Sequence, residues 1–93
     1  MKIRFYIDPN TKDPHIYKHN IYEKDVIDIL NHPGEDRTGK NNSRVAIGQT
    51  QSGRYVRVIY VYDSISESIF VITAYEIKGK TLAAYKRRKK KRG

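Results

Sequence analysis

The sequence predicts an α+β fold in which helices pack on one face of an antiparallel sheet. A short segment with strand character opens the chain, helical periodicity occupies residues 21–31, and three segments rich in valine, isoleucine, tyrosine and threonine lie between residues 44 and 77. Strands grouped after helices are typical of α+β domains, whereas a regular alternation of the two would indicate α/β. The predicted order is β-α-α-β-β-β-α.

Strand and turn signals open the chain. Residues 3–7 alternate well enough for a first strand, and Asp8-Pro9-Asn10 ends it with residues typical of turns. Pro14 then precedes residues 15–19, which we expect to form a short helix.

A longer amphipathic helix is predicted over residues 21–31. Asn20 can cap it, and Glu23, three residues on, can complete a capping box. Four apolar positions keep the i, i+4, i+7, i+8 spacing of one buried stripe: Tyr22, Val26, Ile29 and Leu30. His32-Pro33-Gly34 ends the helix, and the polar residues 35–43 predict an exposed loop.

The second half of the chain is predicted to be β until its last segment. Residues 44–51, 54–62 and 68–77 have strand composition. Ser52-Gly53 suits a two-residue hairpin turn, and residues 63–67 form a longer connection. After Gly79, a last helix begins at residues 81–85 and leads into a basic run.

Length and composition indicate one small domain. We assign residues 1–85 to a single domain and residues 86–93 to a basic tail, because a chain of 93 residues holds one modest core. The absence of cysteine excludes disulfides and a thiol nucleophile. The three histidines lack a metal-site pattern, so no metal or other cofactor is expected. Without a spanning apolar run or a signal peptide, the expected location is the cytoplasm.

The positive charge is concentrated at one end. Of the net +9, residues 86–92 contribute seven charges, which leaves +2 on residues 1–85. A run of like charge repels itself, so its tip is expected to fray. The usual partner of such a run is a phosphate backbone, bound without sequence preference. A tail that only maintains solubility is the alternative; no apolar anchor favours a membrane surface.

Loop lengths predict which strand residues share a face. A two-residue turn at Ser52-Gly53 places Gly48 opposite Arg57, and a loop over residues 63–67 places Arg57 opposite Thr73. The predicted core face carries Val45, Ile47, Val56, Val58, Tyr60, Phe70, Ile72 and Ala74. The predicted second face carries Arg44, Ala46, Gly48, Thr50, Tyr55, Arg57, Ile59, Val61, Ile69, Val71, Thr73 and Tyr75.

The second face has the chemistry of a single-stranded RNA site. Arg57 would lie with Tyr55, Thr73 and Tyr75 beside the bare backbone of Gly48. Arginine binds phosphate oxygens through two contacts, and tyrosine stacks on the unpaired bases that duplex DNA does not offer. The alternative is a half-covered sheet face with solvated arginines and tyrosines. A one-residue slip of register would move Arg57 to the core side.

Three stretches, taken in order, carry a family resemblance. The first is Lys18-His19-Asn20-Ile21, leading to Val26, Ile27 and Leu30. The second is Arg44-Val45-Ala46-Ile47-Gly48-Gln49-Thr50, followed by Gly53-Arg54 and Val58-Ile59-Tyr60. The third is Val71-Ile72-Thr73-Ala74-Tyr75, then Ala84-Tyr85. Over roughly residues 15–88 the set resembles the BrnT family of RelE-superfamily toxins, and a small sister family with a V-I-T-x-Y strand.

The resemblance implies a RelE-like fold and a toxin of a type II toxin–antitoxin system. Such toxins are metal-independent endoribonucleases that cut mRNA, often on the ribosome, and a protein antitoxin neutralises them. Arg44 matches the arginine of the family hairpin, and Arg57 is a second cation inferred from register. Tyr75 or His19 would transfer the proton. Tyr75 stands where BrnT proteins have arginine.

Further residues are expected to bind the nucleic acid: Arg54, Tyr55, Thr73, Lys78, Lys80, Arg87 and Arg88. Two other hypotheses share the fold. One is a non-catalytic RNA- or ribosome-binding module, and the other is a ParE-like toxin directed at gyrase. The residues alone do not separate cleavage from binding, because cleavage depends on placement within about an ångström.

Overall fold

The computed structural model describes residues 2–92, so Met1 and Gly93, at the outer ends of the predicted domain and tail, lie outside it. The strands are β1 (Lys2–Phe5), β2 (Glu35–Thr38), β3 (Arg44–Gln49), β4 (Tyr55–Asp63) and β5 (Ser68–Glu76). A 3₁₀ helix (His15–His19) precedes helix α1 (Glu23–Asn31), and helix α2 (Gly79–Arg92) ends the described chain. None of these helices is long and apolar enough to cross a lipid bilayer.

The strands form one mixed sheet in the order β1-β5-β4-β3-β2. The α+β class is confirmed, but the sheet is not purely antiparallel, because β1 runs parallel to β5. It also has a strand that the sequence did not predict: Glu35–Thr38, expected within a loop, is β2 and pairs with β3. Charged side chains are typical of an edge strand, since one side of such a strand faces water.

The β3–β4 hairpin has a different register from the predicted one. Ser52-Gly53 is not a two-residue turn: the Thr50 amide donates to the Arg54 carbonyl at 2.8 Å, which leaves a three-residue loop. Gly53 has φ +95, the left-handed conformation expected at the end of such a loop. Arg57 therefore lies opposite Ile47 rather than Gly48. The one-residue shift exchanges the two faces of β3.

The β4–β5 hairpin contains an irregularity that restores part of the prediction. Its register changes between Ile59 and Tyr60, so that Arg57 lies opposite Tyr75 instead of Thr73. The expectation that Arg57 and Tyr75 share a face is confirmed, although the pairing differs. Before the irregularity, β5 is inverted relative to the prediction: Val71 is buried in the core, whereas Phe70 lies opposite Val61 on the other face.

One sheet face, here called the closed face, is covered by the 3₁₀ helix and α1. Its strand residues are Ala46, Gly48, Val56, Val58, Tyr60, Val71 and Ala74, which pack against Ile16, Ile21, Val26 and Ile29. A Cβ added to Gly48 would lie 3.3 Å from Ile29 Cδ1. Gly48 therefore gives α1 close access to the sheet, and it does not offer bare backbone beside Arg57.

The first turn of α1 differs slightly from the prediction. Asn20 adopts a left-handed conformation at the end of the 3₁₀ helix, and Tyr22 is the N-cap residue of α1. The Tyr22 amide donates to Asp25 Oδ2 at 2.9 Å. The acidic partner at the helix start is thus Asp25 rather than Glu23, whose carboxylate instead accepts the Tyr17 hydroxyl.

The opposite face, here called the open face, is covered only at one end, by α2. Its strand residues are Val45, Ile47, Tyr55, Arg57, Ile59, Thr73 and Tyr75. Tyr85, 1 % exposed, packs with Ile47 and Ile77 beneath α2. Arg88 forms two hydrogen bonds to Glu35 at 2.8 and 3.0 Å. The last helix, predicted to lead into the basic run, continues through it to Arg92, and Arg88 holds it to β2.

Candidate functional site

Arg57 and Tyr75 form a pair on the open face. They lie directly opposite each other on β4 and β5, and Arg57 Nη1 donates a hydrogen bond to the Tyr75 hydroxyl at 3.1 Å. The guanidinium carbon lies 5.8 Å from the centroid of the tyrosine ring. Together, the cation–π contact and the hydrogen bond restrict the position of the guanidinium on the sheet.

Arg57 differs from most other arginines because, within residues 2–92, its charge has no acidic partner. Five arginines of the described chain pair with carboxylates: Arg4, Arg37, Arg44, Arg54 and Arg88. Arg57 has no such ion pair within residues 2–92, and its buried Nε has no hydrogen-bond partner there. A buried donor without a partner costs about 1–3 kcal/mol, so the Arg57 Nε is a polar group that the described residues leave unsatisfied.

His19 lies beside Tyr75 at the end of a row of rings. The 3₁₀ helix packs against β5, and the His19 ring lies edge-on to Tyr75 with centroids 6.1 Å apart. His15 is the next ring, 5.4 Å from His19. Of the predicted catalytic residues, the structure therefore brings Arg57, Tyr75 and His19 together.

Behind these rings lies a carboxylate that the sequence did not single out. Asp8 is 4 % exposed, and its Oδ2 lies 2.7 Å from Lys18 Nζ and 3.5 Å from His15 Nδ1. Hydrogen bonds from Lys18 and from the Asn10 amide lower the pKa of Asp8 to about 2. The sequence indicates only a turn at Asp8, and no local pattern reveals a contact that depends on the loop returning at Pro14.

Arg44, the fourth predicted catalytic residue, lies on the closed face. The register shift places it opposite Tyr60, with Nε 2.9 Å from Asp36 Oδ1. The Tyr60 hydroxyl donates to Asp36 Oδ2 at 2.6 Å. The Tyr60 hydroxyl and the Asp36 carboxylate raise the pKa of Arg44, and burial raises the pKa of Tyr60. The prediction that Arg44 shares a face with Arg57 is wrong.

Arg54 joins helix to sheet. Its Nε lies 3.3 Å from Glu76 Oε1, and its Nη1 donates to the Asn20 carbonyl at 2.9 Å and lies 3.8 Å from Asp25. The guanidinium is thus already neutralised by two carboxylates. These contacts suit a structural clamp, whereas the sequence predicted a residue that binds nucleic acid.

The other predicted binding residues differ in their availability. Thr73 lies opposite Ile59, on the same face as Arg57. The Tyr55 ring is partly covered. Lys86 Nζ lies 5.0 Å from its centroid, and the centroid of the Tyr85 ring lies 6.1 Å away. Arg88 is held by Glu35. Three further predicted residues are exposed at or along α2: Lys78, Lys80 and Arg87.

The cluster of Arg57, Tyr75 and His19 combines a cation with two groups that can transfer protons. This is the set that phosphoryl chemistry needs for charge stabilisation and for acid–base steps. Within residues 2–92, no three histidine, cysteine or acidic side chains group together as a possible metal site.

Comparison with known proteins leaves this geometry as the basis for function. No family model matches the chain, and no curated protein or solved structure matches it either.

Proposed function

We propose that the chain is a RelE/BrnT-like toxin of a type II toxin–antitoxin system, a metal-independent endoribonuclease that acts on mRNA. The observation that carries this proposal is Arg57, a cation on the open face that has no acidic partner within residues 2–92 and is in hydrogen-bond contact with Tyr75. A guanidinium in this state suits a phosphodiester, because its unused donors match the phosphate oxygens.

The proposed reaction is attack of a ribose 2′-hydroxyl on the adjacent phosphate. His19, exposed beside Tyr75, would accept the 2′-hydroxyl proton as the new oxygen–phosphorus bond forms. Tyr75 accepts a hydrogen bond from Arg57, which leaves its own O–H free to protonate the departing 5′-oxygen. Arg57 would stabilise the pentavalent phosphate. The products are a 2′,3′-cyclic phosphate and a 5′-hydroxyl end.

The first test is cleavage of a single-stranded RNA oligonucleotide in the presence of EDTA. The wild-type protein should yield 2′,3′-cyclic phosphate ends, and Arg57→Ala should reduce the rate about 10²- to 10³-fold, as expected for a lost electrostatic donor. Arg44→Ala is the matched control, because Arg44 lies on the closed face with Asp36. Undiminished cleavage by a folded Arg57→Ala variant would exclude this site.

The toxin role needs a cellular test. Induced expression should stop growth, and co-expression of a protein encoded next to this chain should restore it if that protein is the antitoxin. Arg57→Ala should relieve growth arrest without lowering the amount of folded protein. Arrest that persists in this variant, without new RNA ends, would contradict the nuclease mechanism.

A non-catalytic RNA-binding module is the second candidate. It is favoured by α2, whose lysines bear positive charge independently of the Arg57 site and, at Lys86, Lys89 and Lys90, line a cleft. Such a module would bind single-stranded RNA with strong salt dependence and would generate no new ends. RNA binding that Arg57→Ala leaves unchanged, together with no cleavage, would favour this alternative.

A further inference from the structure

A cleft of about 400 Å³ lies between α2 and the end of the β3–β4 hairpin. Its lining residues are Gln49, Tyr55, Tyr85, Lys86, Lys89 and Lys90. The two tyrosines belong to the apolar cluster beneath α2, so the cleft has an aromatic floor. Its rim carries three lysines, whose positive charge favours an anionic ligand.

Helix geometry separates these lysines from the rest of the basic run. Positions 86, 89 and 90 are spaced i, i+3, i+4, so their side chains lie on one side of α2. Arg88 points elsewhere and is held by two hydrogen bonds to Glu35. Because buried Tyr85 and paired Arg88 fix the helix, the three ammonium groups are presented by a docked surface and not by a free tail.

These three lysines are not neutralised within the described part of the protein. No ion pair in residues 2–92 involves any of them, and Lys86 makes its contact with the Tyr55 ring, at 5.0 Å. The Gln49 side chain, also in the lining, donates a hydrogen bond to the Gly53 carbonyl. Three like charges around one cleft repel each other, and an anion between them would relieve that repulsion.

The cleft adjoins the Arg57 site along a single strand. Tyr55, on the cleft floor, and Arg57 are two residues apart on β4 and share the open face, at a spacing of about 7 Å. One extended polyanion could therefore contact both places at once, with α2 on one side of it.

We propose that the lysine cleft is a phosphate subsite for single-stranded RNA, and that it binds a backbone phosphate next to the one held by Arg57. This inference rests on the proposed function and adds a substrate requirement to it. Efficient substrates must extend beyond the cleaved linkage on one side, so a dinucleotide should be a poor substrate.

The test replaces one RNA phosphate at a time with an uncharged methylphosphonate. Each oligonucleotide carries a 2′-deoxyribose at the cleaved position, so that binding is measured without cleavage. With the wild-type protein, one linkage beside the cleaved one should be sensitive to replacement. In Lys86→Gln/Lys89→Gln/Lys90→Gln that sensitivity should disappear, and the slope of log Kd against log salt concentration should fall by about 0.7 for each phosphate that the cleft no longer neutralises.

A matched control removes the same amount of charge elsewhere. Lys2, Lys12 and Lys24 are exposed or partly exposed and have no ion pair within residues 2–92, so their triple change to glutamine alters net charge equally. This control should keep the position-specific sensitivity, and circular dichroism should show that both variants keep their helices. Equal effects of the two triple variants would show that only net charge matters and would overturn the subsite.

The outcomes separate this inference from the proposed function. Cleavage of the unmodified RNA without any position-specific loss in the cleft variant would overturn the subsite alone. A position-specific loss with no cleavage of unmodified RNA would overturn the nuclease, and with it the placement of the cleft next to a cleaved phosphate.

Discussion

The two faces of the sheet differ in the ion pairing of their arginines. On the closed face, helices cover a continuous apolar core, and Arg44 at its margin pairs with Asp36. On the open face, α2 covers one end only, and Arg57 has no acidic partner within residues 2–92. From the sequence, both arginines are predicted to lie on strands and to share one face. What distinguishes them is the partner that folding places opposite each one.

This difference indicates which charges remain available to a ligand. A covered face must satisfy each charge internally, because burying an unpaired charge is costly. An uncovered face can leave a cation for a ligand. Arg57 and the cleft lysines of α2 are cations on the open side that retain this freedom.

The largest expected effect is a loss of stability on the closed face. Ile29→Ala should lower the free energy of unfolding by about 2–5 kcal/mol, because Ile29 is fully buried over Gly48 and its removal leaves a cavity. The matched change, Ile59→Ala, lies on the open face, where Ile59 is only partly buried. Urea denaturation of both variants measures the contrast. Equal losses would mean that the open face is covered as completely as the closed one.

Much of the fold could be predicted from composition and periodicity. The three central strands, the helix at residues 21–31 and the grouping of strands after helices all have strong local signals. The faces of the sheet are harder to predict, because one extra residue in a loop moves every side chain of the strand to the opposite face. Gly53 has two possible roles, in a two-residue or a three-residue loop, and the sequence alone does not choose between them. The prediction for Arg44 was wrong for this reason.

The candidate site was predicted in part. Arg57 and Tyr75 share a face because the β4–β5 register departs from the prediction twice, by one residue at the loop, where Asp63 pairs with Ser68, and by one more after Ile59, so that their parity is preserved. The sequence presents the basic run as one unit, whereas docking of Tyr85 and Arg88 assigns its members to different surfaces. These contacts are between residues far apart in the chain, so local patterns could not indicate them.

The next effect concerns the docking of α2 on the open face. A Cβ at Gly34 would lie 1.9 Å from the Tyr85 hydroxyl oxygen, so Gly34→Ala must displace Tyr85 or lift the helix. We expect a loss of about 1–3 kcal/mol, as for overpacking of a well-packed site. Thermal denaturation followed by circular dichroism measures it, and the lysine cleft should bind RNA more weakly in this variant.

Removing the clashing hydroxyl provides the control for Gly34→Ala. In Gly34→Ala/Tyr85→Phe, the nearest remaining ring atom is Tyr85 Cζ at 3.2 Å, so most of the lost stability should return. The double variant would stay as unstable as Gly34→Ala if the cause were the backbone at Gly34 and not its contact with α2.

A smaller effect compares two tyrosine hydroxyls. Tyr60→Phe removes the 2.6 Å hydrogen bond to Asp36 on the closed face and should cost about 1 kcal/mol of unfolding free energy. Tyr75→Phe removes the hydroxyl that contacts Arg57 on the open face, and should change stability by less than about 0.5 kcal/mol. RNA cleavage should respond in the opposite order. A larger loss of cleavage in Tyr60→Phe would contradict the assignment of the chemistry to the open face.

The smallest effect is a pH dependence at Asp8, which contacts the 3₁₀ helix. The pKa of Asp8 is lowered from 3.8 to about 2, mainly by Lys18 and the Asn10 amide, so its ionised form stabilises the folded state. This contribution is complete above the unfolded value and is lost as pH falls through the folded value. The melting temperature of wild type should therefore decline between about pH 4 and pH 2 more steeply than that of Asp8→Asn.

Asp13→Asn, an exposed change in the same loop, provides the comparison for Asp8→Asn. It should leave the acid decline of the wild-type melting temperature nearly intact, because Asp13 lacks the buried contacts of Asp8 with Lys18 and His15. Near neutral pH, Asp8→Asn should melt below wild type, and the two curves should converge in acid as Asp8 becomes protonated. Parallel curves throughout would show that Asp8 does not support the His15–His19 row through its charge.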